Sequence, residues 1–435
     1  MKKYFVVVGI LMLFLTEANA LDQAESINYA IKNNPTVIAL QKKAAAAKAR
    51  LNQATSAFFP TANLSGDIDK AYSSPATAQI NIGGVAQNVT IGTDANASVS
   101  GIQASVSQPV FVSALFPEFN IAQKRFDAAN NNYQQTVIDT SFIVTQNYFG
   151  VLKALKMKKL MSDSLELSRS HRKQVQSMLN AGMAKKADLL QSMVREANDN
   201  VALIQSKYDI DLAKGSFNNA LGKDIKQPVE LKDEGFTGKL NDLPGFDELL
   251  STAYANRPDW KTCLLETGIS EEQLKLSQSD YLPNIVLSAN SGNKTTTYPA
   301  YKSNINSWNV SGTGSWKIFD SFGRENKVQE ASENLSAQRS QVEQFRNNIA
   351  LEVNDAYLNL KSALELVIAT QQAVDSAEES YKVSTSLYNA GMGTNVEVID
   401  AEVALTKSKT DHLNALFNVE VARAKTNKAV GKNVL

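Results

Sequence analysis

Cysteine is almost absent from this chain of 435 residues, in which Cys263 stands alone. An intrachain disulfide is therefore excluded, and so is a metal cluster held by several thiolates. The two histidines, His171 and His412, have no partner at the spacing of a zinc site. We expect both at the surface or in a seam between helices. The sequence predicts no metal and no cofactor.

Long apolar runs and an excess of either charge are also missing. Beyond residue 20 no run reaches the length of about 18 apolar residues that a spanning helix needs, so any membrane insertion has to be as a β-barrel. The chain carries 44 basic and 44 acidic residues. This balance argues against a nucleic-acid-binding protein, which needs a basic surface.

Catalytic signatures are absent as well. The sequence contains no G-x-S-x-G, H-E-x-x-H or phosphate-binding P-loop pattern. We therefore predict that the protein is not an enzyme and has no means of its own to use nucleotide energy.

The first residues have the pattern of a secretory signal peptide. Two lysines precede an apolar run over residues 5–15, and the small-residue site Ala18-Asn19-Ala20 follows. We expect residues 1–20 to be removed by cleavage after Ala20. The alternative, a retained membrane anchor, is disfavoured because the apolar run is too short for a stable span. Leu21, rather than a cysteine, follows the site, so we expect no lipoprotein-type anchor.

A long internal repeat is the main positive feature. The motif Asn-Ala-Gly-Met occurs twice, and one constant separation relates Gly182 to Gly391, Tyr148 to Tyr357 and Gly222 to Gly431. A second separation relates Pro60 to Pro283. These matches predict a first repeat over residues 21–221, a linker over 222–257, and a second repeat over 258–435.

Each repeat contains one very long helical stretch. Residues 324–390 hold no glycine or proline, and residues 118–181 hold only Gly150. Helices of that length run roughly 95–100 Å, which indicates a coiled coil or a long bundle. The shorter helical stretches add up to a similar length in each repeat. We therefore predict two antiparallel helical hairpins, with tips near residues 182 and 391.

Each repeat also contains a predicted β-hairpin, at about residues 60–110 and 283–319. Alternation of apolar and polar residues is clear in 60–69 and 306–317. Such strands fit a membrane barrel, and each one taken alone fits a soluble sheet with one wet face equally well. We interpret the Gly- and Thr-rich residues 70–96 as a long loop.

Four strands per chain cannot close a barrel by themselves. An open sheet leaves unpaired backbone groups at its edges, which lipid cannot satisfy. Three copies would give 12 strands and four would give 16, and the sequence alone does not separate the two.

These features together resemble the TolC-type outer-membrane efflux proteins, the outer-membrane factors of tripartite efflux and type I secretion systems. The resemblance rests on the signal peptide, the duplicated unit, the helix-to-strand prolines Pro60 and Pro283, the segments "QPVF" and "WKIFD", and the paired "NAGM" turns. It implies an α+β membrane protein that forms a homotrimer. Its fold would be a duplicated helix–β-hairpin–helix unit, with a 12-stranded barrel in the outer membrane of a Gram-negative cell and a helical tunnel in the periplasm.

The resemblance also implies partners and a function. The partners would be a periplasmic adaptor, an inner-membrane transporter of the RND or ABC type, and outer-membrane lipid. The function would be passive conduction of small molecules from the pump to the outside. Two alternatives stay open, namely a duct for type I protein secretion and a periplasmic coiled-coil structural protein.

The resemblance places a gate at the tips of the helical hairpins. Glu397 and Asp400 match acidic residues that ring the constriction, and Asp188 and Tyr388 match residues that hold neighbouring helices together. Replacing Tyr388 with phenylalanine is then expected to raise conductance. The alternative for Glu397 and Asp400 is that both are ordinary solvated acids, favoured at a helix start by the helix dipole. The hairpin-tip residues expected to contact the adaptor are Gly182, Met183, Gly391 and Met392.

One position departs from the family pattern. The family's lock also uses an arginine two residues after the second tip glycine, and this chain has Gly393 there. We expect fewer polar contacts in the closed tip, or a substitute contact from Lys185 or Lys186.

Overall fold

The computed structural model describes residues 20–91, 95–233, 235–236, 243–299 and 301–435. The predicted signal peptide therefore lies outside the described residues, apart from Ala20. The helices are α1 (Gln23–Asn33), α2 (Pro35–Ser56), α3 (Leu115–Asn180), α4 (Lys186–Leu221), α5 (Phe246–Asn256), α6 (Pro258–Ser279), α7 (Gly323–Asn389) and α8 (Asn395–Val430). The strands are β1 (Thr61–Ser73), β2 (Ala76–Ile82), β3 (Val85–Ile91), β4 (Ala95–Phe111), β5 (Asn284–Thr297) and β6 (Lys302–Ser315).

The two long helices predicted from the lack of glycine and proline are confirmed. α3 has 66 residues and α7 has 67. No helix among the described residues combines the length and the apolar content that crossing a membrane requires.

Four strands form one antiparallel sheet in the order β1-β4-β5-β6. The interpretation of residues 70–96 as a loop was wrong. β1 continues to Ser73, and β2 pairs with β3 in a separate hairpin. Gly83 and Gly84, both with positive φ (65° and 89°), form its two-residue turn. Such turns match the twist of the flanking strands, so this Gly-Gly pair was a hairpin signal.

The chain divides into two compact units that cut across the sequence repeats. One comprises residues up to Lys43 with Asn130–Thr262 and Glu343–Leu435. The other comprises Ala44–Ala129 and Cys263–Val342. The sheet β1-β4-β5-β6 and the β2–β3 hairpin lie in the second unit, and the helical turns at residues 182 and 391 lie in the first.

The first unit contains the same packing arrangement twice. In one instance Tyr148 of α3 packs with Phe217 and Leu221 of α4. In the other, Val353 of α7 packs with Val430 of α8. Helices α1 and α5, which directly precede α2 and α6, contribute Ala30 and Leu249 among the members of these clusters.

The glycines that follow α4 and α8 occupy equivalent positions in the two repeats. Gly222 and Gly431 have φ of 75° and 73°. A Cβ on Gly222 would lie 2.9 Å from the carbonyl oxygen of Asn33, and one on Gly431 would lie 2.9 Å from the Cα of Arg257. Both positions thus require glycine for backbone conformation and for space.

Candidate functional site

The turn between α3 and α4 begins at Gly182, whose φ is 77°. The N–H of Met183 donates to the carbonyl of Met178 at 2.8 Å, and that of Gly182 donates to Leu179 at 3.0 Å. This pair of bonds is a Schellman motif, which satisfies carbonyls left free at the helix end.

The turn between α7 and α8 has the same bonds. Gly391 has φ of 72°, its N–H donates to Tyr388, and the N–H of Met392 donates to Leu387 at 2.9 Å. The space around both tip glycines is open. Positive φ, rather than crowding, is therefore the reason for glycine here. Met183 and Met392, each next to a tip glycine, are 70% and 74% exposed.

Glu397 lies in the first turn of α8 and caps it. Its carboxylate accepts from the N–H of Thr394 at 2.7 Å, and the Thr394 hydroxyl accepts from the N–H of Glu397 at 3.3 Å. This reciprocal capping box gives Glu397 the helix-start role that the sequence left open as an alternative. Asp400 follows one turn later, and both side chains are exposed. Their place in a ring around a constriction stays a prediction.

Asp188 is the counterpart of Glu397 in the first repeat. Its carboxylate accepts from the N–H of Lys185 at 3.0 Å. Lys185 and Lys186 are exposed, and neither forms an ion pair with another described residue. The substitute contact that we expect from these lysines in the closed tip therefore has no counterpart among the described residues of a single chain, and it stays a prediction.

Tyr388 is buried at the end of α7. Its ring packs on Val175 and Val398 and lies edge-on to His171, with centroids 5.5 Å apart. Burial, and then the nearby Asp188, raise the pKa of its hydroxyl. That hydroxyl has no hydrogen-bond partner among the described residues. A Tyr388–Asp188 bond is thus not formed here, and the gate role of both residues stays a prediction.

Asn395 lies at the start of α8 and connects three helices near the tips. This role was not predicted from the sequence. Its side-chain oxygen lies 2.9 Å from Nε2 of His171 and accepts from the hydroxyl of Ser192 at 3.2 Å. Its amide nitrogen donates to the carbonyl of Asp188 and to Gln191, each at 3.2 Å. His171 is buried in this seam, and burial lowers its pKa.

A buried cluster of charged side chains joins α4 to α8, and it was also not predicted from the sequence. Arg195 Nε donates to Glu402 Oε1 at 3.1 Å, and its Nη2 lies 3.1 Å from Asp199 Oδ1. Glu402 is fully buried. Burial, only partly offset by Arg195 and reinforced by Asp199, raises the pKa of Glu402 to about 7.

The sheet in the other compact unit has two unlike faces. Directly paired residues point to the same side, so the pairs Leu64–Ala104 and Ala289–Val310 lie on one face, and the pairs Asn63–Ser105 and Asn290–Asn309 lie on the other. Large apolar side chains on the first face are exposed, and they are Leu64, Ile68, Ile102, Val106, Leu287, Trp308 and Val310. The opposite face presents Asn63, Ser65, Asp67, Gln103, Ser105, Asn290, Asn309 and Ser311.

The ends of this sheet carry the predicted proline junctions. Pro60 lies between α2 and β1, and Pro283 lies between α6 and β5. Proline fixes φ and lacks an N–H, so it suits the residue just before a strand. Trp316, predicted within a strand, follows the end of β6, and its indole N–H donates to the carbonyl of Tyr281 at 3.0 Å.

Comparison with known proteins places this arrangement in a family. The sequence profile of the family "Outer membrane efflux protein" matches residues 26–223 and 249–432. Outer membrane protein TolC of Escherichia coli (strain K12) is 22% identical over 437 residues, which span 96% of this chain and 85% of TolC.

Two solved structures share the fold. CusC, studied for transmembrane channel formation, has a TM-score of 0.79 at 17% identity, over 94% of this chain and 92% of CusC. The open state of the MtrE outer membrane channel of Neisseria gonorrhoeae has a TM-score of 0.77 at 14% identity, over 95% and 89% of the two chains. The chain therefore belongs to the outer membrane efflux protein family.

Proposed function

We propose that this protein is the outer-membrane exit channel of a tripartite efflux system. It conducts small molecules passively, and an inner-membrane transporter supplies the energy. The membership in an efflux family supports this proposal, as does the absence of catalytic and nucleotide-binding motifs from the sequence.

The observation that carries the proposal is the amphipathic sheet. An exposed apolar face of this size is costly in water and suits contact with lipid, because alternating residues then face hydrocarbon and an aqueous lumen. Trp308 is 78% exposed on that face, and Ile68 is 85% exposed. The polar face, with Asp67 and Asn290, is suited to line a conducting path.

The outer strands of the sheet, β1 and β6, support an oligomer. Lipid cannot satisfy the backbone groups of an open edge, so β1 of one copy pairs with β6 of the next. We propose three copies and a 12-stranded barrel, because the family resemblance implies a homotrimer and an eight-stranded barrel from two copies has an interior filled by side chains. The long helices α3 and α7, each paired with a shorter one, then form the periplasmic tunnel.

The helical tips are the proposed gate and adaptor contact. Glu397 and Asp400 from three chains would place six carboxylates around one mouth, which attracts cations and repels anions. Asp188 and Tyr388 line the seam behind them. The exposed Met183 and Met392, with the glycines beside them, offer adaptable apolar contacts to a periplasmic adaptor.

A deletion strain separates the proposal from the two alternatives. We expect increased sensitivity to several chemically unrelated small molecules, restored by the intact gene, and recovery of the protein in the outer-membrane fraction. Loss of one exported protein with unchanged drug sensitivity would favour a type I secretion duct. Recovery in the soluble periplasm would contradict the channel and favour a structural coiled coil.

A further inference from the structure

The buried ion cluster of α4 and α8 lies about two to four helical turns beyond the tips. Besides its contacts with Glu402 and Asp199, Arg195 reaches Ser164 of α3, with 3.4 Å between Nη2 and the hydroxyl. The Ser164 hydroxyl lies 2.9 Å from that of Thr406 on α8. One guanidinium therefore connects three helices, and its contacts join both helical hairpins of a single chain.

The charges in this cluster do not balance. Two carboxylates share one guanidinium, and Glu402 and Asp199 are 0% and 5% exposed. Glu402 Oε2 and Asp199 Oδ2 are buried and have no donor among the described residues. Both carboxylates bind the same guanidinium, each at 3.1 Å, and a hydrogen bond with Asp199 contributes to the raised pKa of Glu402. A single proton on Glu402 would let it donate to Asp199, which satisfies both oxygens and makes the cluster neutral.

We propose that this cluster is the clamp that holds the two hairpins of one chain together above the tip, and that it is complete only when Glu402 carries a proton. The inference rests on the proposed function, in which the tips gate a channel.

The direction of the pH effect follows from the groups that face Glu402. Its pKa of about 7 is above the usual carboxyl value, so the clamp's stabilisation is fully present at acidic pH and is lost as pH rises through about 7. Tyr381 of α7 faces Glu402. Burial, and then the charge of Glu402, raise the pKa of the Tyr381 hydroxyl. Tyr381 therefore stays neutral over this range.

The other charged groups near the cluster act apart from it. On α3, Arg169 and Arg172 are paired with the partly buried Glu196 of α4. His171 of α3 has a pKa lowered by burial, so it changes charge in a more acidic range than Glu402. The exposed Glu397 of α8 is bonded to the backbone of Thr394.

Single-channel recording in planar bilayers tests the clamp. For the full-length protein we expect the open-to-closed ratio to rise about tenfold from pH about 6 to about 8. This is the change expected for one carboxyl group whose pKa is about 7 in the closed state and has its usual value in the open state. Arg195→Met should raise that ratio by at least about tenfold at the lower pH, because it leaves the buried Asp199 carboxylate without a cation. Glu402→Gln keeps a donor for Asp199, so this variant should stay in the closed state with no pH dependence in this range.

Glu196→Gln is the matched control. It removes an ion pair between α3 and α4 beside Arg195 without contact to α8, so its pH profile should match that of the unmodified protein. If the unmodified protein conducts and Glu402→Gln retains the pH dependence, the clamp is wrong. If the unmodified protein forms no pores, the proposed function fails instead. Should Arg195→Met not assemble, the Glu402→Gln profile still decides.

Discussion

At the scale of single residues, the acids near the tips cap the starts of their helices, in addition to their proposed place in the gate. Asp188 and Glu397 occupy matching positions in the two repeats, and each bonds the backbone N–H that starts its helix. Acids at this position are stabilising because they satisfy a free donor and interact with the helix dipole. Neutralising either one therefore changes helix stability as well as charge at the mouth.

Tyr388 gives the first prediction at this scale. Its buried hydroxyl has no partner among the described residues, and removing such a group is close to neutral or stabilising. We expect Tyr388→Phe to leave bilayer conductance unchanged and the melting temperature at or above that of the unmodified protein. The family resemblance predicts the opposite, a higher conductance, so this measurement decides between the two expectations.

Tyr388→Ala is the control, because it also removes the ring that packs on Val175 and Val398. We expect it to lower stability by about 3–5 kcal/mol. A several-fold rise in conductance for Tyr388→Phe would contradict the prediction and would place the hydroxyl in a bond with another copy.

The repeat glycines give a second prediction. Gly391→Ala has space for its Cβ but keeps a positive φ, which costs about 1–2 kcal/mol. Gly431→Ala adds a contact of 2.9 Å with backbone, so we expect a larger loss of stability. Gly150→Ala, inside α3 with open space, should stabilise by about 0.5–1 kcal/mol. Thermal unfolding followed by circular dichroism measures the order, and equal losses for Gly391 and Gly431 would contradict it.

The tip glycines were predictable from sequence, and the buried polar groups were not. Repetition of "NAGM" marks both turns, since glycine at a helix end signals a left-handed residue. Whether Arg195, Asn395 or Glu402 is buried depends on which helix covers that face. α3, α4 and α8 come together from distant parts of the chain, so the sequence periodicity of α8 alone carries no such information.

At the scale of elements, the long helices and the sheet differ in how well sequence predicted them. α3 and α7 were predicted to within a few residues because glycine and proline mark their ends. The β2–β3 hairpin was not predicted because its Gly/Thr/Asn-rich composition favours a loop, although apolar and polar residues alternate within it. Ala78 pairs with Val89 on one face, and Gln79 pairs with Asn88 on the other.

The two faces of β1 give a prediction at this scale. Leu64 and Ser65 are neighbours on one strand and point to opposite sides of the sheet. Leu64→Arg would place a charge against hydrocarbon at a cost of about 2–4 kcal/mol, whereas Ser65→Arg would reach the proposed lumen. We expect Leu64→Arg to reduce the amount of assembled protein in outer-membrane fractions and Ser65→Arg to assemble normally. Equal assembly of both variants would contradict the assignment of the two faces.

At the scale of the whole molecule, duplication explains much of the organisation. Each copy brings a glycine-ended helix against the residue before a proline, at Gly222 with Asn34 and at Gly431 with Arg257. The copies have nevertheless diverged in their polar groups. The clamp arginine comes from the first copy and its fully buried carboxylate from the second, so neither hairpin contains the complete clamp.

In the proposed channel, three copies close the sheet through β1 and β6. Electron cryo-microscopy of the purified protein in lipid nanodiscs would image this closure. The proposal predicts threefold symmetry and a closed barrel of 12 strands, with β1 of each copy paired to β6 of its neighbour. A single chain with an open sheet, or a closed barrel built from any other number of copies, would contradict it.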